Sequence, residues 1–209
     1  MPLKLYDKEA ILAACQTVFA CHGYKNTTTG MLAEAAGVSK ALLFHHFSSK
    51  KKLYLLVLEK CLEKTNLEFG TDPFSRHQDI FEAITKLSQL KLDYAKNNPE
   101  LVRIIFEAFH STPEELKAEI DEKYGFERMR LKKDQKLIEL FDAVPLKEEV
   151  DREKAFELIK IVLGHFEKNY IAELAEDNMM NESYWQQLID KRNSFLNMIR
   201  YGIERDNNT

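Results

Sequence analysis

The stretch 27–52 constrains this chain more than any other, because a helical pattern stops and restarts within it. A short amphipathic pattern ends at Gly37, and Ser39 begins a second helix in which Leu43 and Phe47 lie four residues apart on one face. Two short helices joined by a turn of about three or four residues that contains glycine are typical of a helix-turn-helix. The spacing therefore predicts a second helix that can enter the major groove of DNA.

The second predicted helix carries more polar and aromatic side chains than packing requires. Lys40 can donate to guanine or to phosphate, and His45 and His46 can donate to either as well. Adjacent histidines on a helix diverge by about 100 degrees and no cysteine or glutamate follows four residues later, so we predict no metal site here. The residues of this helix expected to contact DNA are Ser39, Lys40, Ala41, Phe44, His45 and His46.

The order of these features resembles the DNA-binding region of the tetracycline-repressor (TetR) family of bacterial transcriptional regulators. The residues that carry the resemblance are AAGVSK (35–40), LxFHHF (42–47) and the SK pair (49–50), and it covers about the first 60 residues. It implies a three-helix DNA-binding domain followed by a helical domain that binds a ligand and forms a homodimer. It also implies that Thr28 and Lys50 contact DNA phosphates.

Three positions depart from the family's usual pattern. Phe44 stands where the family usually has a tyrosine that contacts phosphate, Ala41 where glycine is common, and Lys51 where an acidic residue is usual. Phe44 can still pack on a sugar or a methyl group, so we expect affinity to shift toward other contacts.

Three consecutive lysines, Lys50 to Lys52, fall in the first turn of the next predicted helix. Each cation at a helix N-terminus forgoes or opposes roughly 0.3 to 1 kcal/mol of dipole stabilisation. A phosphate would compensate for this, because free backbone N–H groups and lysines can converge on it. The alternative is a solvated run of charge.

The formal charge of −4 is divided unevenly along the chain. Residues 1–64 carry nine lysines and five acidic residues, for a net charge of +4, and the remainder carries −8. This division is typical of a small DNA-reading segment joined to an acidic body. No run of 18 apolar residues and no signal peptide is evident, so we expect a cytoplasmic protein without membrane contact.

The odd number of cysteines (Cys15, Cys21 and Cys61) argues against a disulfide framework, and we expect all three to be small core residues. No motif organises catalysis or binds a cofactor, so neither an enzymatic activity nor a cofactor is predicted.

Beyond residue 70 the chain reads as a series of helices without a strand pattern, which predicts an all-α fold. The predicted parts are a helix-turn-helix domain (1–52), a connecting helix (53–70) and a helical domain for ligand binding and dimerisation (71–209). Helix starts are expected near Ser75, Glu100, Thr112, Asp151 and Ser183.

The last two predicted helices carry broad apolar stripes. In the TetR family the corresponding pair forms a four-helix bundle with a second copy, which would present two recognition helices to a palindromic operator. The alternative is that these faces only complete the core of one chain. The stripes are Phe156, Ile159, Leu163, Phe166, Tyr170 and Leu174 on one helix, and Trp185, Leu188, Ile189, Phe195, Leu196, Ile199 and Ile203 on the other.

A ligand pocket is implied by the resemblance alone. The predicted function is therefore a transcriptional repressor that binds its operator as a homodimer and is released by a small molecule. The alternatives are a helical-bundle ligand carrier or enzyme without DNA binding, and a regulator that binds a partner protein. The candidate effector-binding residues are Phe106, Phe109, His110, Phe126, Met129, His165, Phe166 and Tyr170, and Tyr124 is a further candidate.

Overall fold

The computed structural model describes residues 7–70, 74, 77–175 and 182–204, with the side chains of 126–127, 170–175 and 182 left out. These residues form ten helices and no strand beyond one isolated bridge, between Leu146 and Glu204. The predicted all-α fold is confirmed. The helices are α1 (Lys8–Asn26), α2 (Thr29–Ala35), α3 (Lys40–Phe47), α4 (Lys50–Phe69), α5 (Ile80–Asn97), α6 (Pro99–His110), α7 (Glu114–Tyr124), α8 (Phe126–Asp142), α9 (Arg152–Ala175) and α10 (Glu182–Ile203).

The helices group into two compact units that do not follow chain order. Unit 1 contains α1 to α4 together with α6 and α7, and unit 2 contains α5, α9, α10 and nearly all of α8. Helix α6 belongs to unit 1 because it buries Leu101, Ile104 and Ala108 and packs on α1 and α4. The connecting helix predicted over 53–70 forms most of α4. The predicted domain 71–209 includes α6 and α7, whereas these two helices group with unit 1 in the structure. The predicted domain boundary at residue 70 stays a prediction.

Side-chain caps begin four of the unit 1 helices where the sequence indicates a start. Each cap accepts a backbone N–H from the first turn at 2.9 to 3.2 Å, which satisfies one of the donors that have no partner within the helix. Gly23 leaves helical geometry with φ +68° and ψ 166°, as expected for a residue that ends the regular part of α1. The capping residues are Asp7, Thr28, Ser39 and Ser49.

One expected helix start is wrong, and another lies outside the described residues. Thr112 does not cap α7; its hydroxyl donates to the carbonyl of Ala108, and Pro113 occupies the cap position. Helix α5 begins at Ile80, where Asp79 accepts the N–H of Glu82 at 2.8 Å, while the expected start at Ser75 lies outside the described residues. At α7 a neighbouring residue takes the role, since boundaries depend on which polar side chain the packing leaves available.

The expectation for the cysteines is confirmed for Cys15 and Cys61 and wrong for Cys21. Cys15 and Cys61 are buried in unit 1, and burial raises the pKa of Cys15 to about 11 and that of Cys61 to about 12. Cys21 is exposed, since it lies on the opposite side of α1 from the buried Phe19 and Ala20.

The apolar stripes predicted on α9 and α10 mostly fill the core of unit 2. Ile159, Leu196 and Ile199 are buried in a cluster with residues of α5 and α8, and Phe166 and Trp185 are buried as well. The buried stripe residues therefore complete the core of one chain, as the alternative interpretation proposed. Tyr170 and Leu174 lie where side chains are not described. Phe195 is the exposed member of the stripes, at 44%.

Candidate nucleic-acid interface

Helix α3 separates its side chains into a buried pair and an exposed set. Leu43 and Phe47 are buried, and Phe44 is half-buried at the margin. This is the division that the spacing of apolar residues predicts, and contact with DNA stays a prediction. The exposed residues are Ser39, Lys40, Ala41, His45 and His46.

The starts of α2 and α3 bring two of the candidate residues to one place. Thr28 is exposed, and its Oγ1 accepts the N–H of Met31 at 3.2 Å. A side chain at Gly30 would lie 3.4 Å from Lys40 Nζ and 3.7 Å from Thr28 Oγ1, so both groups border this glycine. The Lys40 ammonium thus lies beside the α2 N-terminus, a proximity that sequence reasoning missed.

Lys50 is held inside unit 1 by the end of α1. Its Nζ donates to the carbonyls of Tyr24 at 2.9 Å and Thr27 at 3.0 Å, and lies 4.2 Å from the centre of the Tyr24 ring. An ammonium has three N–H donors, so a phosphate contact at Lys50 would use the third. The sequence shows the charge of this lysine, but the carbonyls it caps are far away in the chain.

The other two lysines of α4 differ in their surroundings. Lys51 forms an ion pair with Glu119 of α7, whereas the side chain of Lys52 is exposed. Both belong to the first turn of α4, whose N-cap is Ser49. Of the three lysines, Lys52 is therefore the best placed for an incoming anion.

A half-buried carboxylate on α6 connects the helices of unit 1. Both oxygens of Glu107 accept the backbone N–H of Tyr24, at 2.8 and 3.1 Å, and Oε2 also accepts the Tyr54 hydroxyl at 2.9 Å. The Tyr24 and Tyr54 rings meet edge to face at 5.0 Å. Sequence reasoning missed this cluster, because Glu107 lies 83 residues after Tyr24 and its apolar neighbours suggest only a core helix.

Burial raises the pKa of each titrating group in this cluster. Burial raises the pKa of Glu107, and the hydrogen bonds from Tyr24 and Tyr54 together with the charge of Lys50 oppose this only in part. Burial is also the largest cause that raises the pKa of each tyrosine. Both hydroxyls therefore remain protonated donors at neutral pH.

The candidate effector-binding residues are divided between the two units. Phe106, Phe109 and His110 lie on α6, where the Phe106 and His110 rings are 4.7 Å apart. In unit 2, Met129 is 45% exposed and His165 is exposed. The contacts of Phe166, with Phe195 at 5.9 Å and with His165 at 5.2 Å, are those of a packing residue. Phe126 and Tyr170 lie where side chains are not described. Binding of an effector by this set stays a prediction.

Unit 2 contains a pocket with a volume of about 470 Å³. None of the candidate effector-binding residues is among its described lining. The lining consists of His77, Gln78, Lys136, Glu139, Leu140 and Ala143.

Large apolar residues are exposed on both α9 and α10, outside the buried core cluster of unit 2. They recur three residues apart along each helix, and their exposure runs from 44% to 77%. We call this set the α9–α10 face. It consists of Leu158 and Ile161 on α9 and Phe195, Met198 and Tyr201 on α10.

Neither a metal cluster nor a membrane span is found in the part of the chain that the structure describes. No group of three or more histidine, cysteine, aspartate or glutamate side chains among the described residues could hold a metal ion. Within the same ranges, no helix has the length and apolar character needed to span a bilayer.

Sequence comparison matches most of the chain to two family descriptions. Residues 11–57 match "Bacterial regulatory proteins, tetR family", and residues 78–203 match "Tetracyclin repressor-like, C-terminal domain".

Similar proteins include two curated regulators and one solved structure. The transcriptional regulator RutR of Escherichia coli K12 is 33% identical over 127 residues (56% of this chain, 58% of RutR). The transcriptional activator FasR of Mycolicibacterium smegmatis is 31% identical over 116 residues (53% and 50%). The chain thus matches about half the length of these relatives, 58% of RutR and 50% of FasR. A TetR-like regulator from Rhodococcus sp. RHA1 shares the fold, with a TM-score of 0.62 at 16% identity over 93% of this chain and 95% of that one.

Proposed function

Because the chain belongs to the TetR family of bacterial regulatory proteins, we propose that it is a cytoplasmic repressor that binds a palindromic operator as a homodimer and is released by a small molecule. The observation that carries this proposal is α3. Leu43 and Phe47 are buried, while a capping serine, a lysine and two histidines are exposed. These side chains have the donors that base edges and phosphates accept.

The charge of the amino-terminal segment supports a polyanionic partner. Residues 1–64 carry a net charge of +4 in a chain whose total is −4. Lys40 and Lys52 are exposed at the starts of α3 and α4, where helix N-termini add partial positive charge. Phosphates at both places would gain from the lysine and from the helix end together.

The α9–α10 face supports a homodimer. Exposed apolar side chains that recur along two adjacent helices are expected to be covered in solution. A second copy fits because the face lies along two packed helices, and two such pairs would build a four-helix interface. A dimer would also give two copies of α3, which a palindrome can bind simultaneously.

The test of DNA binding begins with selection of a duplex from a random library by the purified protein. We expect a palindromic sequence. Lys40→Ala should then weaken binding to the selected duplex by about tenfold to a hundredfold, and it should relax preference at one position in each half-site. Lys154→Ala is the matched control, because it removes one exposed lysine from unit 2. Recovery of no preferred sequence, or equal effects of the two changes, would contradict the proposal.

A further inference from the structure

The junction between α1 and α2 leaves one backbone donor without a helical partner. Gly23 has φ +68° and ψ 166°, so the helical hydrogen-bond series is interrupted before Tyr24. The N–H of Tyr24 donates instead to both oxygens of Glu107, at 2.8 and 3.1 Å. A carboxylate from α6 thus replaces the helical acceptor.

The carbonyl group of Tyr24 is held by a cation, the Lys50 ammonium. The carbonyls of Tyr24 and Thr27 accept from Lys50 of α4, and the Thr27 hydroxyl donates to the Gly23 carbonyl at 2.7 Å. The peptide groups of this junction therefore lie between a carboxylate and an ammonium ion. Hydrogen bonds to charged groups are shorter and stronger than neutral ones, so this pair defines the conformation of the junction tightly.

The junction in turn sets where the DNA-facing helices begin. Thr28 caps α2 directly after it, and α3 follows α2 with a turn at Gly37. A change at Tyr24 would therefore tilt the start of α2 and, with it, the exposed residues of α3.

Glu107 costs the fold stability in its ionised form. Its pKa is raised, so the folded protein holds the proton more tightly than the unfolded chain does. This group therefore lowers stability as pH rises above the ordinary carboxyl value of about 4.3. The carboxylate is nevertheless hydrogen-bonded to Tyr24 and Tyr54, so its contacts, and not its contribution to stability, suggest its role.

We propose that Glu107 is a positioning residue for DNA binding, whose carboxylate fixes the α1–α2 junction against α4 and α6 without contacting DNA itself. This inference depends on the DNA binding proposed above. It predicts that affinity for DNA depends on an acidic residue whose charge repels phosphate.

The sign of the effect separates this role from simple electrostatics. Glu107→Gln and Glu100→Gln each remove one negative charge from α6, and a purely electrostatic role predicts equal or tighter binding for both. Glu100 is a matched control, because its carboxylate accepts only the exposed Thr17 hydroxyl, at 3.2 Å, among the contacts described. We expect Glu107→Gln to bind the selected duplex about fivefold more weakly and Glu100→Gln to bind as wild type.

Two further readouts distinguish positioning from direct contact and from unfolding. The slope of affinity against salt should not change in Glu107→Gln, because no phosphate contact is lost. The thermal midpoint should stay at or above the wild-type value. In NMR spectra, the Tyr24 amide proton should move upfield in Glu107→Gln and stay in place in Glu100→Gln.

Tyr54→Phe provides a second variant, since it removes one donor to Glu107 and keeps the charge and the ring. It should weaken DNA binding about twofold to threefold without changing the salt slope. If Glu107→Gln does not fold, the DNA affinity of Tyr54→Phe tests the inference, and wild-type affinity in Tyr54→Phe would then overturn it. Wild-type affinity in the folded Glu107→Gln, or equal losses in it and in Glu100→Gln, would overturn the inference alone. Absence of DNA binding by the wild type would overturn the proposed function as well.

Discussion

The two units expose different chemistry, and the difference indicates what each one binds. In the described part of unit 1, helices α1 to α3 expose no large apolar side chain, and the exposed side of α3 is polar and basic. In unit 2, five large apolar residues are exposed along α9 and α10. A polyanion suits the first surface and a second apolar surface suits the second.

Both units also contain part-buried polar contacts between distant residues. In unit 1, Glu107 accepts from Tyr24 and Tyr54, and Lys50 donates to the carbonyls of Tyr24 and Thr27. In unit 2, Arg192 donates to the Ser88 hydroxyl and Arg200 pairs with Asp79. The units therefore differ in their exposed surfaces and not in whether they contain such contacts.

The largest effect is expected from substitutions that place charge on the α9–α10 face of unit 2. If the proposed homodimer forms through this surface, Ile161→Asp combined with Met198→Asp should convert it to a monomer in sedimentation velocity, because charge would be buried in the interface. Affinity for the palindromic duplex should fall about a hundredfold or more, since the second half-site no longer adds avidity. Leu67→Asp on α4 is the control, because Leu67 is 87% exposed in unit 1. A dimer that persists in the double variant would contradict the proposal that the apolar surface of unit 2 binds a second copy.

A smaller effect on DNA affinity is expected from substitutions at the lysines of α4. It would show which lysine of unit 1 contacts a phosphate. Lys52→Ala should reduce the slope of log affinity against log salt by about one and weaken binding several-fold. Lys51→Ala should leave the slope unchanged, because its ammonium pairs with Glu119. The measurement is fluorescence anisotropy over a salt series. A slope for Lys52→Ala equal to that of the wild type would show that Lys52 contacts no phosphate.

The smallest effect concerns the thiols of unit 1. At pH 8 a thiol reagent should modify Cys21 rapidly, while Cys15 and Cys61 should react only when unit 1 opens, because burial raises their pKa values to about 11 and 12. Modified Cys21 should change DNA affinity less than twofold. Rapid reaction of all three at pH 8 would contradict the buried positions.

Local features of the fold followed from the sequence. The caps at Asp7, Thr28, Ser39 and Ser49 and the turn at Gly37 depend on residues within three or four positions of one another. The exposed and buried sides of α3 followed from the same short-range spacing.

Features that join distant segments did not follow. The position of Lys50 under the end of α1, the pairing of Lys51 with Glu119 and the Glu107 cluster link residues from 23 to 83 positions apart. A charged residue gives no local signal of which distant group it meets. The predicted interface on α9 and α10 changed for a similar reason: period alone cannot tell the side of a helix that fills its own core from the side that is left exposed.

The sequence by itself determined the helices, the capped helix-turn-helix and the family, because these depend on spacing along the chain. The tertiary structure alone decided which lysine stays exposed, which apolar residues of α9 and α10 are uncovered, and that a carboxylate from α6 completes the end of α1. Those outcomes depend on which helices pack together, and packing brings together side chains whose separation in sequence carries no information about their contact.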